Sequence, residues 1–297
     1  MNRLPKALFI INPTSGRRKQ LDMQALIRQH IDPAQVQAEV VYTERAGHAT
    51  ELSAKAAADG YAVVVAVGGD GTVNEVARGL LHSDTALAIV PRGSGNGLAR
   101  HLEVPLHIPR AIELINSHHT SKIDACRING HPFFTTAGIG FDAYISSLFA
   151  GSTRRGFRTY VEIVLKEFFN YKPQAVSLQL NGEQVDSNCF VLTFANAAQY
   201  GNNAFIAPMA DIQDGQLDVV LIKHVDVRKA FELSVSLLTK QIATSAHAQF
   251  YKTKSVHVQT EQPFLYHADG EFIGQGTSFD VEIDHLALKV VVPEPKK

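Results

Sequence analysis

Cysteine is scarce: 297 residues hold two of them. Cys126 and Cys189 show no CxxC or CxxH spacing, which argues against a disulfide scaffold or a cysteine zinc site. They read as small buried apolar residues of a reducing compartment. Net charge is missing as well. Lys and Arg number 28 against 29 Asp and Glu, leaving −1, so no long-range field draws the chain to nucleic acid or anionic lipid. The densest basic runs, Arg17-Arg18-Lys19 and Arg154-Arg155, are short and read as solvated surface. No apolar run approaches the ~20 residues that span a bilayer. The apolar run at 7–11 is too short for a secretory signal and ends in a loop sequence, so a cytoplasmic chain is expected. Thirteen histidines include no HExxH, and the neighbours His118 and His119 read as surface. Also absent are GxxxxGK[ST], a GxGxxG after the first strand, and GxSxG. Those absences exclude a P-loop and a nucleophile elbow and weaken a dinucleotide dehydrogenase.

The composition that remains is ordinary for a globular protein, 45% hydrophobic and 19% charged. The length favours two domains. Strand-like runs at 8–11, 38–42, 62–67 and 86–90 alternate with helical patterns around 21–28, 49–58 and 74–81. Uninterrupted apolar strands alternating with helices predict an open, mostly parallel α/β sheet. In such sheets ligands bind beyond the carboxyl ends of the strands. Three of those ends carry loop chemistry: Asn12-Pro13-Thr14-Ser15-Gly16, Gly68-Gly69-Asp70-Gly71, and Pro91-Arg92-Gly93-Ser94-Gly95-Asn96-Gly97. All three are expected on one edge.

The second loop is the most informative. The β-branched run Val63-Val64-Val65-Ala66-Val67 breaks into glycines around one carboxylate, and Val73, Val76, Ala77, Leu80 and Leu81 then recur at helical spacing. A strand that turns through glycine into a helix aims backbone N–H groups and a positive dipole end at one point, where a phosphate binds. Asp70 would repel that phosphate, so it implies either an intervening Mg²⁺ or a proton-transfer role. A bare strand–helix turn with a capping aspartate is the plainer alternative.

Beyond about residue 123 the pattern changes. Val176, Leu178 and Leu180 alternate with polar residues into Asn181-Gly182, a hairpin signal. Strand-like runs follow at 190–194, 217–222, 256–258 and 279–283, predicting a β-rich antiparallel, sandwich-like half. Two amphipathic helices interrupt it, one with Phe157, Tyr160, Val161, Val164, Leu165 and Phe168 on a stripe, the other with Val227, Ala230, Phe231, Ser234 and Leu238. A last strand at 286–292 precedes Pro293, and the tail beyond it looks frayed. Asp211 and Asp214 stand three apart in a loop with Gly215, an oxygen pair that suits Mg²⁺ or simply solvated turn acids.

Gly68-Gly69-Asp70-Gly71-Thr72-Val73-Asn74-Glu75 resembles the GGDGTxNE signature of the diacylglycerol kinase catalytic-domain superfamily. That group includes soluble bacterial lipid kinases, sphingosine kinases and ceramide kinases. The glycine motif is shared with NAD kinases and resembles that of 6-phosphofructokinases. The loop Pro91–Asn96 resembles the lipid-kinase PxGTxN loop, 12–16 the N-P-x-[SA]-G nucleotide loop, and Thr43 the strand-end threonine that follows it. Ile206-Ala207-Pro208 through Asp214-Gly215 resembles the IAP…DG segment, and Asp269-Gly270-Glu271 the DGE motif. These matches run in order along nearly the whole chain.

The resemblance implies a nucleotide-binding α/β domain, residues 1–123 plus a returning strand within 286–297, and a lipid-binding β-rich domain, 124–285. It implies an active site in the cleft between the domains, with ATP held at Asn12, Pro13, Thr14, Ser15, Gly16, Thr43, Gly68, Gly69, Asp70, Gly71, Thr72, Asn74, Glu75, Gly93, Ser94, Gly95 and Asn96. Glu271 would be the general base and Asp269 catalytic or metal-positioning. Asp211, Asp214 and the Gln216 carbonyl would hold magnesium, with Asp124 hydrogen-bonded into that network. One departure stands out: the bacterial pattern continues PxGTxND, and Gly97 occupies the last position. Residues 93–99 are closer to the GSGNALA form of sphingosine kinases. That gives weight to a sphingoid-like acceptor over diacylglycerol, or marks a relaxed loop position.

The expected activity is therefore transfer of phosphate from MgATP to a membrane-lipid hydroxyl. The protein would be cytoplasmic and meet its substrate transiently at the inner membrane face by peripheral contact, without nucleic acid; a homodimer is compatible. NAD kinase is the alternative enzyme, and a catalytically inactive nucleotide-binding regulator the alternative of another class.

Overall fold

The computed structural model describes residues 4–16, 21–152, 157–223 and 227–295. The basic runs Arg17-Arg18-Lys19 and Arg154-Arg155 lie outside the described residues, as do Lys296 and Lys297. The chain divides into two compact units, Met1–Ile123 with Leu286–Lys297, and Asp124–His285.

In the first unit strands and helices alternate: β1 (Lys6–Ile11), α1 (Met23–His30), β2 (Gln37–Tyr42), α2 (His48–Ala58), β3 (Val63–Gly68), α3 (Asp70–Leu80), β4 (Ala86–Pro91), α4 (Gly97–His101) and α5 (Ile108–Leu114). The strands form a parallel ladder in the order β2-β1-β3-β4, with Phe9 opposite both Val40 and Val65, and Val65 opposite Ala88. All six residues of β3 and of β4 are buried. Burial on both faces is why these strands read as continuous apolar runs. Each buried Val or Leu contributes roughly 1.5–3 kcal/mol over an exposed one. Residues 287–292 return to this unit. Val290 pairs in parallel with Leu87, and His82 donates its N–H to the Ala287 carbonyl.

The stripe on α3 is as expected, with Val73, Val76, Ala77 and Leu80 buried. Its start is not: the helix begins at Asp70, so the glycine turn is itself the first helical turn. Gly79 lets α2 lie close, because a Cβ there would run into Ser53 Oγ and the Thr50 carbonyl.

The second unit is β-rich. After β5 (Thr120–Ile128) come β6 (His131–Phe133), β7 (Thr136–Gly140), α6 (Phe141–Gly151), α7 (Phe157–Glu167), β8 (Gln174–Leu180), β9 (Glu183–Cys189), β10 (Val191–Ala195), β11 (Leu217–Ile222), α8 (Val227–Leu238), β12 (Ala248–Thr253), β13 (Ser255–Ala268) and β14 (Glu271–Val291). β14 crosses from one unit into the other. Antiparallel pairing gives the order β12-β11-β10-β7-β13-β14, with the β8–β9 hairpin paired to β13. At the tip of that hairpin Asn181 and Gly182 both take positive φ, 53° and 80°, the backbone that Asn-Gly turns supply.

One core lies among the strands, from Cys126, Phe133, Leu178, Phe194, Val219 and Phe279. A second lies where Phe141, Ile145, Phe190 and Val220 meet partly buried Val164, Phe168 and Leu237 of the helical layer. The stripe residues Phe157, Tyr160, Val227, Ala230 and Phe231 lie outside the described side chains. This is a β sandwich-like domain following an α/β domain. Among the described residues no helix is long and apolar enough to cross a membrane.

Candidate active site

In the first unit the three glycine-bearing loops meet at the carboxyl ends of β1, β3 and β4. β1 and β3 are adjacent although the chain passes through β2 between them, which makes this a topological switch point. There Asn12 Nδ2 donates to Thr72 Oγ1 at 3.1 Å, and Asn12 Oδ1 accepts from the N–H and hydroxyl of Thr14 at 2.9 and 2.8 Å. Ser15 closes the turn on the Asn12 carbonyl. Pro13 and Thr14 are exposed at its tip. Gly16, at φ +85°, comes so near the Arg92 carbonyl that a Cβ would sit 3.0 Å from it. Thr43 follows β2, with its N–H donated to the Ile11 carbonyl at 2.9 Å.

The second and third loops touch backbone to backbone. A Cβ on Gly93 would lie 2.7 Å from the Gly69 Cα, so only glycine permits that approach. One on Gly68 would strike Thr72. Asp70 ties the two loops together: its carboxylate accepts from the N–H of Asn96 at 3.0 Å and of Gly97 at 2.7 Å. Asn96 holds left-handed backbone, φ 51°, and its amide spans Gly93 by accepting from the N–H at 3.1 Å and donating to the carbonyl at 3.0 Å. Ser94 and Gly71 are exposed at the rim. The cap of α3 is Gly69, which makes no side-chain cap hydrogen bond, an arrangement that suits an anion.

Glu75 lies on α3 and reaches α2. Its carboxylate accepts from the Ala49 N–H at 3.2 Å, capping α2, and its carbonyl accepts from Thr50 Oγ1 at 2.8 Å. Asn74 is buried beside it in α3.

In the second unit Asp269 and Gly270 form the two-residue turn between β13 and β14, at φ 49° and 78°, with Ala268 opposite Glu271. Asp269 is an anchor. Its carboxylate accepts from the N–H groups of Phe134, Thr135 and Thr136 at 3.0, 2.8 and 3.2 Å, and from Thr135 Oγ1 at 2.6 Å. Glu271 opens β14 and is exposed.

A buried pair that the sequence reading missed stands behind this turn. His267 Nε2 lies 3.2 Å from Asp142 Oδ2, and Gly270 donates its N–H to His267 Nδ1 at 3.3 Å. With Nδ1 accepting, Nε2 carries the proton and donates to Asp142. Gly138, opposite His267 in the β7–β13 register, leaves room for the pair, since a Cβ there would overlap Asp142 Oδ2.

The 211–216 loop belongs to the same unit. Asp124, fully buried, donates its N–H to the Ile212 carbonyl at 2.8 Å and accepts from the Gly215 N–H at 2.8 Å; His285 Nδ1 sits 2.8 Å from its other oxygen. Asn196 Nδ2 joins the Asp124 and Phe134 carbonyls, both at 2.9 Å, so this loop and the Asp269 anchor share one hydrogen-bonded frame.

The two expected magnesium carboxylates both accept hydrogen bonds from within the protein. Asp211 accepts from the Gln213 N–H at 2.9 Å. Asp214 accepts from the Gln216 N–H at 2.9 Å and from Lys252 Nζ at 2.7 Å. The same ammonium lies 3.5 Å from Asp218 Oδ2. Burial pushes the Asp218 carboxyl up, Lys252 opposes that rise, and Asp214 adds to it. Burial lowers the Lys252 ammonium, but its two carboxylate partners raise it by more. A divalent ion on Asp214 would face that ammonium, and unit charges 4 Å apart near a protein surface interact by about 4 kcal/mol. Among the described residues no group of three or more His, Cys, Asp or Glu is placed to hold a metal. The donor set fits a loop already neutralised by lysine, not one that awaits a resident divalent ion.

The family model of the diacylglycerol kinase catalytic domain matches residues 6–128, and that of the YegS C-terminal NAD kinase beta sandwich-like domain matches residues 135–292. A diacylglycerol kinase of Bacillus subtilis (strain 168) is 26% identical over 99% of this chain and 98% of its own. One from Mycobacterium tuberculosis (strain H37Rv) is 31% identical over 75% of each chain. A solved Bacillus anthracis structure described as a diacylglycerol kinase shares the fold, with a TM-score of 0.75 at 22% identity, covering 99% of this chain and 98% of that one. With both halves matched, the chain belongs to the diacylglycerol kinase family of lipid kinases.

Proposed function

We propose that the protein transfers the γ-phosphoryl group of MgATP to a hydroxyl of a membrane lipid, diacylglycerol-like or sphingoid-like. The observation that carries this reading is the junction of loops at Asp70: the Gly69 and Gly93 backbones in contact, and one carboxylate holding the Asn96 and Gly97 amides. A surface built of backbone at a helix N-terminus suits a polyphosphate. Phosphoryl transfer asks the protein mainly for positioning and for neutralising charge. Magnesium enters as part of the nucleotide substrate and neutralises its phosphate oxygens.

The chain's own groups divide the remaining work. The loops at 12–16, 68–72 and 93–96, with Thr43 beside them, bind and orient the nucleotide. Asp70 keeps two of those loops in register. Glu271 accepts the proton of the lipid hydroxyl, whose oxygen bonds to the γ-phosphorus as the bond to the bridging oxygen breaks and ADP leaves with that electron pair. Asp269 fixes the turn that presents Glu271, and the Asp142–His267 pair supports that turn from behind. Gly97 leaves no carboxylate at the acceptor end of its loop, which favours a sphingoid-like acceptor over diacylglycerol. The protein meets its lipid by peripheral contact from the cytoplasm.

The test is transfer of labelled phosphate from ATP to diacylglycerol, sphingosine, ceramide and phosphatidylglycerol in mixed micelles, with NAD in a parallel tube. Label in a lipid supports the reading. Label in NAD alone favours a NAD kinase, and ATP binding without transfer to any acceptor favours an inactive regulator.

A further inference from the structure

We propose that Lys252 is the built-in cation of the 211–216 loop, taking the place of a bound divalent metal. The position of this lysine is set by the sheet, because β11 and β12 are antiparallel and place Lys252 directly opposite Asp218. Opposite charges at such a cross-strand pair attract. Asp218 is 5% exposed, and a buried carboxylate requires a counter-charge. The ammonium then reaches past it to Asp214, 2.7 Å away, and so bridges the strand to the loop. The ammonium hydrogen-bonds Asp214 and faces Asp218 as an ion pair at 3.5 Å, leaving Asp218 Oδ2 buried without a hydrogen bond and dependent on that charge.

The rest of the loop needs no metal to hold its shape. Its backbone is tied to Asp124 at Ile212 and Gly215. Gly215, at φ +69°, lies under the His285 ring, where a Cβ would be 3.0 Å from Nδ1. A metal bound through Asp214 would have to displace Lys252 and would leave Asp218 buried without its cation. The partner cation comes from a strand 38 residues further on, so the loop sequence does not reveal it.

The inference is independent of the kinase reading, because its test uses neither nucleotide nor lipid. Manganese binding to the full-length protein is followed by electron paramagnetic resonance, and thermal unfolding is recorded in EDTA and in millimolar MgCl2. The wild type is expected to show no saturable manganese site and the same melting temperature in both buffers. Lys252→Met is expected to melt several degrees lower in EDTA. If that variant fails to fold, the wild-type manganese titration decides alone. Saturable binding of one manganese that Asp214→Asn abolishes, or a Lys252→Met protein that melts in EDTA like the wild type, would overturn the proposal.

Discussion

The carboxylate of Asp70 receives the backbone N–H of Gly97 at 2.7 Å, 27 residues on in the chain. Together with its bond to the Asn96 N–H, this makes one side chain the fastener between the loop after β3 and the loop after β4. It also assigns Gly97 a use, since its amide, rather than any side chain, completes the junction.

Asp70→Ala removes the acceptor for both amides. Hydrogen bonds to a charged group contribute about 1.5–3 kcal/mol each when buried. This site is only part-buried, so a total near 2 kcal/mol is expected. Calorimetry should show the melting temperature lowered by several degrees and phosphoryl transfer lost. Asp70→Asn keeps one acceptor oxygen but turns its amide nitrogen toward the other N–H, so it should recover at most part of the melting loss and none of the transfer.

Asp269→Ala should behave as a structural mutant. It strands the N–H groups of Phe134, Thr135 and Thr136, and each unsatisfied buried donor costs about 1–3 kcal/mol. The expected result in denaturant titration is a loss of at least 2 kcal/mol, whatever happens to activity.

Gly138→Ala places a methyl group against Asp142 Oδ2 and, at 3.0 Å, His267 Nε2. Overpacking of this kind costs roughly 1–3 kcal/mol. Urea unfolding should show that loss, and Gly130→Ala serves as contrast. Gly130 has open space around its Cβ position but a φ of +79°, so backbone strain alone should cost about 1 kcal/mol.

Burial raises the thiols of Cys126 and Cys189 well above their ordinary range. The thiolate is the reactive form, so at pH 8 the native protein should leave a thiol reagent unconsumed, and unfolding should release both groups. The linkage has the same sign: a raised folded-state pKa contributes stability that is complete below the unfolded value, about 8.5, and lost as pH climbs beyond it. Melting temperature should therefore fall above roughly pH 9.

Much of the α/β unit is legible in the sequence because fully buried parallel strands leave no polar positions to confuse the pattern, as in Val63–Gly68. The Asn181-Gly182 turn is legible for a different reason, namely that few residues tolerate two successive positive φ values. α6 is absent from the expected elements although Phe141, Ile145, Leu148 and Phe149 recur at i, i+4, i+7 and i+8, the spacing of a helical stripe. β14 reads as two strands because Leu286 takes φ +52° midway and breaks the alternation. The gathering of the three loops follows from strand order and is legible too. The pairs Asp142–His267 and Asp214–Lys252 are not, since 125 and 38 residues separate the partners and in each pair one of them lies outside the strands, in α6 or in the 211–216 loop.

The account turns on Glu271, an exposed carboxylate at the head of β14 that makes little demand on the fold. The most direct measurement compares Glu271→Gln with wild type for melting temperature, ATP affinity and single-turnover transfer to the best lipid acceptor. Melting and affinity are predicted to stay unchanged while transfer falls at least a hundredfold, the usual contribution of a general base. Transfer within a few fold of wild type by a well-folded, ATP-binding Glu271→Gln protein would contradict the account.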